Sequence, residues 1–163
     1  MNLQINKILV PVDFSDYSRP ALLYSSELAE VFGAELILIH IIEPVIYPPD
    51  FSMGQIALPP LTIDIDTAAT EELEKLIKTE LPGTIKAKIL VRTGKPFVEI
   101  VDAAAEEKVD LIIISSHGRT GVEHILFGST ADKVVQKSPC PVLTLREPFK
   151  GFNYKEVKKK NNN

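Results

Sequence analysis

With 163 residues, 45% of them hydrophobic, the chain is sized for one globular domain that can bury a core without metal or disulfide support. Its 18 Lys and Arg against 22 Asp and Glu leave a net charge of −4, which lacks the basic footprint of a nucleic-acid binder. The longest apolar runs, such as LILIHII ending at Ile42, fall far short of the roughly 20 residues a membrane-spanning helix needs. MNLQINKILVPVD carries no secretory signal, so a cytoplasmic protein with no membrane association is expected. The single cysteine, Cys140, has no partner for an internal disulfide and reads as a small buried apolar residue.

In chain order, residues 7–12 (KILVPV) form a short β-branched run, the pattern of a strand covered on both faces, with Pro11 near its end. Asp13, Ser15, Asp16 and Ser18 then offer helix-capping side chains ahead of Pro20. A helix is predicted there, with Ala21, Ser25, Leu28, Ala29 and Phe32 on its apolar face and Gly33 as its left-handed terminal residue. Residues 34–42 (AELILIHII) are the second buried-type strand. From 43 to 66, five prolines stand among Tyr47, Phe51, Met53 and Ile56, a composition suited to a long loop. Such a loop either folds over a ligand or partner or is a plain surface excursion.

A helix from 66 or 67 to about 81 places Ala69, Leu73, Leu76 and Ile77 on one face and stops at Pro82-Gly83. Residues 85–92 (IKAKILVR) suit a strand near a sheet edge, with Lys86 and Lys88 protecting it. Gly94-Lys95-Pro96 opens a third helix, closing near Lys108, whose predicted inward residues are Phe97, Ile100, Val101, Ala104 and Ala105. Residues 109–114 make the fourth strand.

The stretch 111–130, LIIISSHGRTGVEHILFGST, joins a buried-type strand, a glycine-punctuated loop and a helix start. Those are the parts that hold phosphate: glycines let backbone approach a ligand, and free N–H groups at a helix N-terminus face an anion. On the residues alone a plainer reading stays open, in which Gly118, Gly121 and Gly128 punctuate turns and Ser129 caps its own helix. Ser129-Thr130-Ala131-Asp132 has the spacing of a helix N-terminus; the helix carries Val134, Val135 and Lys137 and stops at Ser138-Pro139. The last strand is 141–145 (PVLTL), and the lysine- and asparagine-rich end is a frayed terminus, giving a domain over 1–147 and a tail over 148–163.

Five strands alternating with helices predict an α/β three-layer sandwich: a five-stranded parallel sheet with right-handed crossovers and helices on both faces. Ligands of such sheets lie beyond the strands' carboxyl ends, where strand order reverses. If the first and fourth strands are neighbours, Asp13 and the Ser115 to Gly118 turn flank one crevice.

These segments resemble the universal stress protein family along residues 7–146, through KILVPVDFSDYS, LILIHIIEP, SSHGRTGVEHILFGST and SPCPVLTLR. The family's nucleotide-binding pattern is glycine, two residues, glycine, nine residues, glycine, then Ser or Thr. Gly118, the nine residues 119–127, Gly128 and Ser129 follow it, while Ser115 replaces the first glycine. The resemblance implies strand order 3-2-1-4-5 and an ATP site. In that site Asp13 hydrogen-bonds the nucleoside, the backbone of Ile41 meets adenine and Ser115 lies close to the ribose, with Pro11 a further nucleotide-binding candidate. Gly118, Gly128, Ser129 and Thr130 take the phosphates, on which any Mg²⁺ would arrive. His117 and Arg119 are further candidates, each either touching phosphate or simply solvated.

The resemblance further implies a homodimer paired through the last strand, Val142 to Leu145, acting as a stress-response and signalling module. Lys95 is open between ligand and solvent, His40 reads as a satisfied core or strand-end histidine, and His124 has no assignable role. No His, Cys or carboxylate cluster has metal-ligand spacing. The GxxxxGK[ST] loop is absent and no dedicated base is visible, so at most slow ATP hydrolysis is expected. A slow ATPase or nucleotide-transfer enzyme, and a nucleotide-free dimeric scaffold, are the alternatives.

Overall fold

The computed structural model describes residues 4–44, 62–116 and 128–146, with 62–64 as backbone only. The elements run β1 (Lys7–Pro11), α1 (Arg19–Phe32), β2 (Glu35–Ile42), α2 (Thr62–Glu80), β3 (Ala87–Thr93), α3 (Pro96–Glu106), β4 (Leu111–Ser115), α4 (Ser129–Lys137) and β5 (Val142–Leu145). All four strand pairings among the described residues are parallel, in the order β3-β2-β1-β4-β5 that the family resemblance implies.

The near-continuous apolar strands are explained by cover on both faces. Ile8, Val10, Leu36, Leu38 and Ile113 point to one side, where Ala21, Leu22 and Ala29 of α1 and Leu73 of α2 meet them. Leu9, Ile37, Ile39, Ile112 and Ile114 point to the other, against Ile100, Ala103 and Ala104 of α3 and Ala131 and Val134 of α4. Each fully buried Leu or Ile contributes roughly 1.5–3 kcal/mol relative to exposure. The chain steps from β1 to β2 in one direction and from β4 to β5 in the other, so right-handed crossovers send α1 and α2 to one face and α3 and α4 to the opposite one.

Local chemistry sets the helix ends. Gly33 closes α1 in the left-handed region (φ 67°), and the Ala34 N–H donates to Ala29 O at 3.0 Å. Ser25 sits on the buried face of α1 because its hydroxyl donates to the Ala21 carbonyl (2.5 Å).

Several predicted details differ. Helix α2 begins at Thr62, not at 66 or 67, so the connection after β2 is shorter than the expected 43–66 loop. Phe32 is 37% exposed, since it falls in the last turn of α1, beyond the sheet. On α3 the buried alanines are Ala103 and Ala104, while Ala105 is exposed; Ile100, Ala103 and Ala104 keep the i, i+3, i+4 spacing of one face. Lys88, expected as edge protection on β3, reaches back to Glu107 beyond α3, with Nζ 2.7 Å from Oε1. Cys140 is half-buried, and its N–H donates to Ser138 Oγ at 3.2 Å. The expected tail and residues 45–61 lie outside the described residues.

Candidate functional site

Strand order reverses between β1 and β4, and a cleft of about 350 Å³ opens at that point, beyond the strands' carboxyl ends. Its floor is apolar, built from Ile39, Ile100 and Ile114. Polar groups converge on it from four segments: Asp13 after β1, the end of β2, Ser115 and Ser116 at the end of β4, and the start of α4.

Asp13 is held by its own turn. Its Oδ1 accepts the Ser15 N–H (3.0 Å) and the Ser15 hydroxyl (2.5 Å), an Asx turn that fixes the carboxylate at the rim. The next residue, Phe14, has φ 60°, a left-handed conformation that costs a bulky side chain about 1–3 kcal/mol. Its ring is held against His40, with centroids 4.4 Å apart, and packs onto the core. His40 is 9% exposed, and its Nδ1 lies 2.7 Å from Val12 O. A carbonyl only accepts, so Nδ1 carries the proton and the ring ties β2 to the segment that delivers Asp13. This is the satisfied strand-end histidine the sequence led us to expect.

On the β4 side, Ser116 N–H donates to Leu145 O (2.8 Å), and Gly128 N–H donates to Ser116 O (2.7 Å). The chain that leaves the sheet at Ser116 therefore returns to the same point at Gly128. Gly128 is the N-cap of α4 (φ −63°, ψ 147°), and its carbonyl accepts the Asp132 N–H at 3.0 Å. Ser129 is thus the first helical residue rather than the cap. A glycine cap has no side chain to occupy the helix end, and no side-chain cap bond is made at this N-terminus. The N–H groups of the first turn and the Ser129 and Thr130 side chains stand at the cleft wall, where a helix favours negative charge.

Of the residues anticipated from sequence, Pro11, Asp13, Ile41, Ser115, Gly128, Ser129 and Thr130 all line this one cleft. His117, Gly118 and Arg119 lie outside the described residues. Glu43, Phe97 and Lys133 were not anticipated as lining residues, and Lys95, left open, lines the cleft as well. Lys133 had a usable signal, since it lies four residues after Ser129 on the same helical face. The charges are divided: carboxylates of Asp13 and Glu43 follow β1 and β2, while the ammonium groups of Lys95 and Lys133 come from α3's cap and α4. Among the described residues no group of His, Cys, Asp or Glu could hold a metal ion by itself.

The profile of the Universal stress protein family matches residues 4–146. The chain belongs to the universal stress protein family. It is 34% identical to universal stress protein MJ0577 of Methanocaldococcus jannaschii over 158 residues, covering 90% of this chain and 98% of that protein. The solved structure of MJ0577 matches with a TM-score of 0.75 at 32% identity, over 90% of this chain and 99% of that one. A universal stress protein of Archaeoglobus fulgidus in complex with dAMP shares the fold at TM-score 0.58 and 23% identity, over 88% and 98% of the two chains. So does a universal stress protein in complex with cAMP, at TM-score 0.58 and 23% identity over 88% and 98%. No helix among the described residues of this universal stress protein is long and apolar enough to cross a membrane.

Proposed function

We propose that this universal stress protein holds ATP in the cleft at the β1/β4 switch point and acts as a dimeric stress-response signalling module, its occupied and empty states presenting different surfaces. One observation carries the reading: Asp13, Ile41, Ser115 and the Gly128 to Thr130 turn, far apart in sequence, line a single cleft. The cleft's volume of about 350 Å³ falls within the roughly 300–1,000 Å³ of small-molecule sites. Its parts fit the ligand's parts. An apolar floor beside β2 suits a purine, a carboxylate at Asp13 suits ribose hydroxyls, and an uncapped helix start flanked by two hydroxyl residues suits phosphate. Mg²⁺ carried on the phosphates would neutralise their charge, with the Ser129 and Thr130 hydroxyls as oxygen ligands of the right hardness.

Universal stress proteins solved with dAMP and with cAMP support the choice of an adenine nucleotide. The dimer is proposed through β5, an edge strand whose residues Val142 to Leu145 are all only half-buried within the chain. Thermal denaturation with added nucleotide tests the binding reading. ATP at a hundredfold excess over its Kd should add about 2.7 kcal/mol, raising Tm by about 5–11 °C for a domain of this size. An unchanged Tm with ATP, ADP and AMP at millimolar concentration would contradict it.

A further inference from the structure

The nucleotide reading uses the α4 helix start and leaves two cations of the cleft unassigned. Lys95 is the N-cap residue of α3, and Lys133 lies on α4 one turn beyond Ser129. Both line the cleft, and both reach the same ring: Lys95 Nζ lies 5.3 Å and Lys133 Nζ 5.1 Å from the Phe97 centroid. The two ammonium groups are therefore no more than about 10 Å apart. Neither has a carboxylate partner among the described residues, whereas nearby Lys88 pairs with Glu107, and Arg92 with Glu99 and Glu106. Two like charges held near one aromatic ring repel each other, and the ring's weak attraction for each holds them in place without neutralising them. An anion between them would relieve that repulsion.

The starts of α3 and α4 point the same way. Pro96 and Ser129 are the first residues of adjacent, packed helices, so two positive helix ends and two ammonium groups gather at this part of the cleft, with Glu43 following the end of β2 next to the Gly94 turn, where Gly94 N–H donates to Ile42 O. A monophosphate carries too little charge to use all of this. We infer that Lys95 and Lys133 form a clasp, seated on Phe97, that reads the number of phosphates and makes the cleft selective for nucleoside di- and triphosphates over monophosphates. The inference rests on the nucleotide reading above and deepens it by naming the residues that set ligand class. Lysine suits this role: its flexible stem and point charge can follow a phosphate chain without the fixed fork of arginine.

The test is calorimetric titration of the full chain with ATP, ADP and AMP, on the wild type and on a Lys95→Gln/Lys133→Gln variant. Both lysines lie at the rim rather than in the core, and a melting curve checks that the variant folds. The wild type should bind ATP at least about tenfold more tightly than AMP, the effect of one charge-assisted contact or more. The variant should lose most of that ratio, with AMP affinity changed less than about threefold, and Lys95→Arg/Lys133→Arg should restore part of it. An unchanged ATP-to-AMP ratio in the glutamine variant, or an equal loss for all three ligands, overturns the clasp while leaving the nucleotide site standing. A wild type that binds none of the three overturns the nucleotide reading, and the clasp with it.

Discussion

His40 links the buried sheet to the rim of the cleft, and replacing it separates two contributions. The Nδ1–H bond to Val12 O (2.7 Å) is buried, and Val12 is 4% exposed, so water cannot readily replace the lost donor. In His40→Phe the ring contact with Phe14 survives and the carbonyl loses this partner, which costs about 1–3 kcal/mol. In His40→Ala the ring contact is lost too, worth about 0.5–1.5 kcal/mol more, with a cavity penalty on top. The expected losses are therefore about 1–3 kcal/mol for the phenylalanine variant and about 2–5 kcal/mol for the alanine variant. The chain has no tryptophan, so urea unfolding followed by far-UV circular dichroism is the suitable assay, with an unchanged m-value as the check that only stability moved. Both variants should also weaken nucleotide binding, because the segment carrying the Asp13 turn loses its tie to β2 through Val12 O, and the alanine variant also removes the ring that holds the left-handed Phe14. A His40→Phe protein within about 0.5 kcal/mol of wild type would refute the claim that this bond holds the rim.

Two further outcomes follow from the sheet's edges. The Lys88 hydrogen bond holds the Glu107 carboxyl below its ordinary pKa, so its contribution to stability is present above the unfolded value of 4.5 and is lost as pH falls through the lowered folded value. With Lys88 42% exposed, Glu107→Gln should cost less than about 1 kcal/mol at neutral pH and nothing in acid well below the carboxylate range; an equal cost at both would exclude the ion pair as its source. At the other edge, the proposed pairing through β5 predicts that the wild type sediments as a dimer and that Thr144→Lys, which puts a charge on that strand, sediments as a monomer; a monomeric wild type, or a variant that stays dimeric, would contradict it.

The fold was legible because strand and helix signals agreed along the chain. The β-branched runs at β1, β2 and β4 could only be strands covered on both faces, and alternation between strand and helix patterns then fixed a parallel sheet. The misplaced features have local causes. Asp66-Thr67 offered a plausible helix start that hid the earlier turn from Thr62, and three consecutive alanines at 103–105 gave no size contrast to mark which faced inward. Gly128 and Ser129 are both acceptable caps, so the pattern could not decide between them, and the backbone chose the glycine. Within the site, Asp13 and the Gly128 to Thr130 turn were legible because their chemistry is carried by short motifs. The Lys95, Phe97 and Lys133 cluster was not, because it forms only when α3 and α4, separated by all of β4 and the following connection, pack side by side.

Nucleotide released from freshly purified protein tests the central claim most directly. The protein is denatured and the supernatant analysed by chromatography and mass, with Gly128→Val alongside and a melting curve to check its folding; φ −63° and ψ 147° are open to valine, whose side chain adds bulk at a residue that lines the cleft. The account predicts ATP or ADP approaching one per chain from the wild type and its loss from the variant. No nucleotide from the wild type, together with no binding of added ATP with magnesium, would contradict it.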